Sequence, residues 1–249
     1  MSDLHRDVFG WHSPHLHMHM PLVRYGHWGP AVLLFPTAGG DFLEAERMGL
    51  IGAIQHLIVA GRLTVFGIDS INPHAWLNPH VDFPEKARRQ AAYSRYIEEE
   101  VVPHIRRVVQ NDHARIAAFG ASFGAFHAAN AVFRRPDLFF ALVGMSGLYE
   151  LDWFLHGYSD ETVYFNSPNW FVPNLPEGPQ LNRLRQDTHI HLLATRGMWE
   201  HPELTERFAG TLRSKGIPHH LDLWGHEMSH DWPTWHRMLN VVIPERLGW

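Results

Sequence analysis

The chain has 249 residues, no cysteine and a formal net charge of −5. A chain of this length can bury the core of one sizeable domain, and the missing cysteines exclude disulfides, thiolate nucleophiles and cysteine-bound metals. The negative charge argues against a nucleic-acid-binding surface, which needs clustered lysine and arginine.

The first half of the chain alternates predicted strands and helices. Alternating residues 15–25 predict a first strand, and the continuous apolar run Ala31–Phe35 predicts a strand that is buried on both faces. A helix is expected over residues 42–60, a strand over residues 63–68, and one long helix over residues 85–110, which Pro103 would kink.

The second half continues this alternation around one irregular segment. Strands are predicted over residues 114–119, 139–143, 189–194 and 219–224, with helices over residues 125–135 and 202–215 and from about residue 232. Residues 148–186 interrupt the pattern with aromatic, asparagine and proline residues, so we expect a lid-like insertion over the carboxyl edge of the sheet. Strands that alternate with helices imply a mostly parallel sheet with helices on both faces, in one domain over residues 1–249.

The segment Gly120-Ala121-Ser122-Phe123-Gly124 lies between a predicted strand and a predicted helix. A serine between glycines at such a junction is typical of a nucleophile elbow, in which the tight turn lifts the serine Oγ out of the sheet. The turn also points the serine at the helix N-terminus, where free N–H groups favour developing negative charge. Ser122 is therefore predicted to be a nucleophile.

A serine hydroxyl needs a base and a carboxylate that orients this base. The loops after the last two predicted strands offer Glu200 and Glu203, followed by His226 and His230. We predict His230 as the base, because it lies just before the last helix, and we keep His226 as the alternative. Glu200 is the predicted acid, because it lies nearer the strand end, whereas Glu203 is expected in the first turn of a helix.

An oxyanion hole needs two backbone N–H donors. One is expected from Phe123, which follows the nucleophile, and the other from the loop after the Ala31–Phe35 strand. In that loop Ala38 is the first choice and Gly39 the second, with an ordinary tight turn as the alternative.

Substrate contacts are expected from Gly39 and from three tryptophans, Trp76, Trp153 and Trp170. Trp153 and Trp170 either form an acyl or aryl pocket or fill the core of the insertion. Trp76 either borders the cleft or belongs to a turn.

Three alternating histidines, His15, His17 and His19, would share one face of the first predicted strand. Such a face can bind Zn²⁺, but no acidic residue is placed beside it. We therefore predict a polar strand face and no metal site.

These residues resemble the putative-esterase branch of the α/β-hydrolases, which includes S-formylglutathione hydrolases, feruloyl esterases and mycolyltransferases. The resemblance covers residues 11–239. It depends on Phe35–Gly40, Gly120–Gly124, Trp199-Glu200 and the stretch His230–Trp235, which is similar to the segment that carries the catalytic histidine in those esterases. A glutamate stands where an aspartate is commoner, and the oxyanion loop lacks the His-Gly-Gly form of many relatives.

The resemblance implies an α/β-hydrolase fold with an insertion after the sixth strand, and a serine esterase that works through an acyl-enzyme. An acyltransferase with the same triad and a non-catalytic binding protein of this fold are the alternatives. We expect a cytoplasmic protein with a small-molecule ester as substrate, no cofactor, and neither nucleic acid nor membrane as partner. No signal peptide is expected, because the N-terminal residues lack a basic segment followed by an apolar one. Whether the chain forms a homo-oligomer is left open by the sequence.

Overall fold

Eight strands form one sheet in a computed structural model that describes residues 4–249. They are β1 (Arg6–Ser13), β2 (Met18–Tyr25), β3 (Ala31–Phe35), β4 (Thr64–Ile68), β5 (Ile116–Ala121), β6 (Phe139–Met145), β7 (His189–Ala194) and β8 (His220–Leu223). The first three residues of the predicted 1–249 domain lie outside the described residues.

The strand order across the sheet is β1-β2-β4-β3-β5-β6-β7-β8. β1 pairs with β2 and β2 with β4 in antiparallel fashion, and all the other pairs are parallel. Every residue of β3, β4 and β5 is buried, because helices cover both faces of this central part. The predicted mostly parallel sheet is thus confirmed.

Eleven α-helices accompany the strands in the described residues. They are α1 (Glu44–Arg47), α2 (Leu50–Val59), α3 (Phe83–Tyr96), α4 (Val102–Val108), α5 (Phe123–Arg134), α6 (Asp152–Leu155), α7 (Glu161–Tyr164), α8 (Pro168–Phe171), α9 (Pro179–Gln186), α10 (Pro202–Ser214) and α11 (Trp232–Arg246). Side chains of α2 and α11 pack in one core cluster, whereas those of α3, α4, α5 and α10 pack in another cluster on the opposite face. None of these helices combines the length and apolar character that a membrane span requires.

The N-terminal strand differs from the prediction. The strand predicted over residues 15–25 begins at Met18 as β2, because residues 14–17 form the turn of a hairpin whose other strand, β1, was not predicted. The turn is closed by the His17 N–H, which donates to the Ser13 carbonyl at 2.9 Å, and His17 has a left-handed φ of 54°. His15 and His17 therefore lie in the turn, and they do not share a strand face with His19.

Two predicted helices are also interrupted. Gly49, with φ of 78°, separates α1 from α2, where one helix over residues 42–60 was expected. The long helix predicted over residues 85–110 contains a π-helical segment, Ile97–Val101, between α3 and α4. This segment lies directly before Pro103, which lacks an N–H to donate, and such wider turns accommodate a break in the hydrogen-bond ladder.

The segment predicted as an insertion, residues 148–186, follows β6 and carries four short helices, α6 to α9. Its helices α7 and α8 pack against α3 and α5. The Phe154 ring lies 5.0 Å from the ring of Phe123 at the start of α5. The insertion therefore reaches the first turn of the helix that follows the predicted nucleophile.

Candidate active site

Ser122 occupies the sharp turn between β5 and α5. Its backbone has φ of 55° and ψ of −123°, which is a strained conformation for a residue with a side chain. A Cβ on Gly124 would lie 2.6 Å from the carbonyl oxygens of Phe35 and Pro36, and a Cβ on Gly120 would overlap with Gly124. Glycine is thus required on both sides of Ser122 for the turn to form.

The elbow is tied to the neighbouring strand by its backbone. The Ser122 N–H donates to the Met145 carbonyl at the end of β6 at 2.9 Å, and the Ser122 carbonyl accepts from the Ala125 N–H at 3.1 Å. The next residue on that strand end, Ser146, donates its own N–H to the Leu193 carbonyl in β7 at 2.7 Å. The carboxyl ends of β5, β6 and β7 are therefore connected at one edge of the sheet.

The loop after β7 and the loop after β8 lie against each other. The His230 N–H donates to the Met198 carbonyl at 3.0 Å, and the Thr195 hydroxyl donates to the Met228 carbonyl at 2.6 Å. A Cβ on Gly197 would overlap with the Met228 carbonyl, so this close approach depends on glycine. These contacts bring Glu200 and His230 together although they are distant in sequence.

Glu200 and His230 form an acid–imidazole pair. The Nδ1 atom of His230 lies 3.7 Å from Oε1 of Glu200, and only 1% of the Glu200 side chain is exposed. Nδ1 has no hydrogen-bond partner within residues 4–249. Likewise, no hydrogen bond joins the hydroxyl of Ser122 to His230 in this part of the chain; such contacts often tighten only when substrate binds.

The alternative acid and base lie elsewhere. Glu203 is exposed, and it pairs with His201 at 2.9 Å rather than with His230. His226 is exposed as well, and its Nδ1 contacts the Arg196 carbonyl at 2.7 Å. The structure therefore places Glu200, not Glu203, beside the imidazole of His230.

The loop after β3 presents backbone N–H groups near the elbow. Glu44 accepts hydrogen bonds from both the N–H and the hydroxyl of Thr37, at 2.8 and 2.7 Å. The N–H groups of Ala38 and Phe123 have no acceptor among the hydrogen bonds of the described residues. Two free donors of this kind are what an oxyanion hole requires.

The predicted substrate-binding residues have different environments. Trp76 is only 3% exposed, and its indole N–H donates to Gln90 at 3.0 Å, which leaves little of it for a ligand to touch. Trp153 is 54% exposed and borders a small cavity together with Phe154. Trp170 is half-buried against the hydrophobic core, and Gly39 is exposed.

A buried histidine lies one helical turn beyond Phe123. Burial lowers the pKa of His127 to about 3, so its imidazole is neutral near neutral pH. Its Nε2 contacts Asn72 Oδ1 at 3.0 Å, and its ring stacks on that of Phe123 with centroids 5.3 Å apart. His127 therefore packs under the first turn of α5 without adding charge there.

Sequence reasoning missed two side chains that contact the acid–imidazole pair. The Ser146 hydroxyl donates to Oε1 of Glu200, and the indole N–H of Trp235 donates to the Ser146 hydroxyl oxygen at 3.0 Å. The Trp235 ring also meets the His230 ring edge-on, with centroids 5.2 Å apart. A signal for Ser146 did exist, namely a polar residue at the carboxyl end of the strand beside the elbow strand.

Comparison with known structures shows the same fold. A ferulic acid esterase is 18% identical to this chain, with a TM-score of 0.75 and coverage of 97% of this chain and 96% of the other. An S-formylglutathione hydrolase from Staphylococcus aureus is 14% identical, with a TM-score of 0.73 and coverage of 97% and 98%. The protein MPT51 from Mycobacterium tuberculosis is 14% identical, with a TM-score of 0.69 and coverage of 98% of both chains.

The sequence itself matches the model of the Esterase family, described as Putative esterase, over residues 66–246. No curated protein matches the chain. The family match covers most of the chain, including the elbow and the two loops that carry Glu200 and His230. The chain therefore belongs to the Esterase family and is a serine esterase with an α/β-hydrolase fold.

Proposed function

We propose that the chain hydrolyses carboxylic esters through an acyl-enzyme formed on Ser122. His230 takes the proton of the Ser122 hydroxyl as this oxygen attacks the ester carbonyl, and then gives it to the leaving alcohol. Glu200 orients the imidazole and stabilises the imidazolium. A water that His230 deprotonates next attacks the acyl carbonyl, and the proton returns to the Ser122 oxygen as the acid leaves.

Negative charge develops on the carbonyl oxygen in both steps. In this proposal the N–H groups of Phe123 and Ala38 donate to that oxygen, and neither group has to break an existing hydrogen bond to do so. The hydrogen bonds from Thr37 to Glu44 hold the loop that carries Ala38. Removing one such donor typically costs about 10²- to 10³-fold in kcat.

The observation that carries the proposal is the left-handed backbone of Ser122 at the start of α5. Strain of this kind persists where the surroundings enforce it, and it clusters at active sites. In this proposal the strained turn aims the hydroxyl at the sheet edge where Glu200 and His230 also lie. In this proposal the substrate is a small ester, whose acyl group we place beside Trp153, Trp170 and Gly39, whereas Trp76 is too buried to contact it.

The test is the hydrolysis of p-nitrophenyl acetate, butyrate and octanoate by the wild type, Ser122→Ala and His230→Ala at neutral pH. Both variants should lose about 10³-fold or more in kcat, as removal of a triad member does. An organophosphonate should label Ser122 in the wild type and leave Ser122→Ala unlabelled.

The matched controls are His226→Ala and Glu203→Ala, which change the exposed alternatives in the same two loops. Their rates should stay within about threefold of the wild type, because surface substitutions away from the site have small effects. A wild type that does not turn over, or a Ser122→Ala variant that keeps its rate, contradicts the proposal.

A further inference from the structure

Ser146 is a buried residue at the carboxyl end of β6, and the proposed reaction gives it no role. It is 6% exposed, its N–H is used by the Leu193 carbonyl, and its hydroxyl donates to Oε1 of Glu200. The atom that accepts from Ser146 is the same oxygen that lies 3.7 Å from Nδ1 of His230. Ser146 thus contacts the carboxylate where the carboxylate meets the imidazole.

The burial of Glu200 gives this contact its importance. Only 1% of the Glu200 side chain is exposed, so water cannot solvate the carboxylate freely. A buried carboxylate keeps its charge and its orientation only if donors surround it. Within the described residues, the hydroxyl of Ser146 is the side chain that donates to it.

The backbone at Ser146 is costly for a serine. Its φ of 48° lies in the left-handed region, which glycine adopts without strain. The next residue in the chain, Gly147, leaves no room for a side chain, since a Cβ there would lie 2.7 Å from the Cβ of Ala125 and from the ring of Tyr149. The tight turn is therefore fixed by packing, and the serine side chain in it is aimed at one place.

Trp235 fixes the direction in which the Ser146 hydroxyl donates. Its indole N–H can only donate, and it reaches the Ser146 oxygen at 3.0 Å. The hydroxyl proton of Ser146 is therefore free to point to Glu200. Since the same indole ring packs edge-on against His230, one side chain supports both members of the pair.

We propose that Ser146, held by Trp235, is a positioning residue that orients the carboxylate of Glu200 for its contact with His230. This inference rests on the proposed function, in which Glu200 is the triad acid. The Ser146 hydroxyl and the His230 imidazole meet the same oxygen of Glu200, so the loss of this hydroxyl changes how the carboxylate acts on the imidazole.

The experiment compares the wild type with Ser146→Gly, which removes the hydroxyl but tolerates the left-handed backbone. We expect kcat on p-nitrophenyl butyrate to fall about 10- to 100-fold, because a misplaced carboxylate misplaces the imidazole. KM should change little. The acidic limb of the kcat/KM profile should move to higher pH, because a carboxylate that has lost a hydrogen-bond donor acts more strongly on the neighbouring imidazole.

Thr205→Val is the matched control. Thr205 is a fully buried residue whose hydroxyl donates to the Gly147 carbonyl at 3.4 Å, next to Ser146. This variant loses a buried hydroxyl without touching Glu200, so its acidic limb should stay in place even if its melting temperature falls. A limb that moves equally in Thr205→Val, or that stays unmoved in Ser146→Gly at wild-type kcat, overturns the role of Ser146.

A double-mutant cycle with Glu200→Gln separates this inference from the proposed function. If Ser146 acts through Glu200, adding Ser146→Gly to Glu200→Gln should cause no further loss in kcat. Additive losses overturn the inference while the triad stands. A Glu200→Gln variant with wild-type kcat instead overturns the proposed acid itself.

Discussion

Gly197 lets the loop that carries Glu200 approach the loop that carries His230. Because an added Cβ would overlap with the Met228 carbonyl, Gly197→Ala must push the two loops apart. A displacement of about 1 Å in a catalytic group can cost about 10²-fold in rate, and we expect a loss in kcat of that order. The measurement is p-nitrophenyl butyrate hydrolysis, together with circular dichroism to show that the variant is folded.

Gly210→Ala in the adjacent helix α10 is the control for this substitution. The position has nothing within 4 Å of an added Cβ, so the same chemical change should leave the rate as it is. If Gly197→Ala retains the wild-type kcat, the close contact of the two loops is not needed for catalysis.

Single residues differ in how far the sequence reveals their position. Ser122 is recognisable because its glycines, its strand and its helix are all local in the chain. The contact between Glu200 and His230 could be inferred from loop order alone. Ser146 and Trp235 could not be assigned, because they meet Glu200 and His230 only once three strand ends and a helix are packed together.

Helices α2 and α10 each contain one interior glycine with open space around it. Gly52 and Gly210 have nothing within 4 Å of an added Cβ. Alanine at such a position loses less conformational freedom on folding, so Gly52→Ala and Gly210→Ala should each raise the free energy of unfolding by about 0.5–1 kcal/mol. Urea denaturation measures this change.

Gly49→Ala is the control for these two helix substitutions. Gly49 has φ of 78°, so Gly49→Ala places a side chain in the left-handed region and should destabilise the protein. A stabilising effect of Gly49→Ala, or a destabilising effect at Gly52, would contradict the assigned backbone of α1 and α2.

Elements were predicted well where their pattern is strong and less well where a break depends on one residue. The strands β3 and β7 have the predicted bounds, and for β3 the reason is a continuous apolar run with clear ends. Of the hairpin, only β2 was predicted, and its start was placed inside the turn, since the alternation continues back through residues 15–17, where the left-handed residue is His17 rather than glycine. The π-helical segment in the long helix was not predicted, because it has no apolar periodicity of its own.

At the scale of the whole molecule, the sheet order assembles the site from distant parts of the chain. β5, β6, β7 and β8 are adjacent, so the four segments that follow them lie along one edge. Those segments carry Ser122, Ser146, Glu200 and His230 in the order of the strands. The chain order of the proposed triad and its spatial order therefore have the same cause, a parallel sheet built in sequence.

The same burial that holds the core together ties its stability to pH. Burial lowers the pKa of His127 to about 3 and that of His191 to about 4, from an ordinary value near 6.5. In the unfolded chain both imidazoles bind a proton below about pH 6.5, whereas in the folded chain they stay neutral down to their lowered pKa. Unfolding therefore takes up protons, and stability must fall as the pH drops from about 6.5 towards 4. Burial raises the pKa of Asp69, which opposes this trend.

Each of these two histidines should lower the free energy of unfolding by up to roughly 1.4 kcal/mol per pH unit below 6.5. The free energy of unfolding should therefore fall by several kcal/mol between pH 7.5 and 5, and urea denaturation at each pH measures this fall.

His191 stacks on His220 with centroids 4.9 Å apart, so His191→Phe keeps an aromatic ring there and removes the titrating group. Unfolding of this variant should take up about one proton fewer, so its stability should depend on pH less steeply. His80→Phe, at an exposed position, should keep the wild-type slope. A slope that is the same in His191→Phe and the wild type would show that buried histidines do not set the acid limit of the fold.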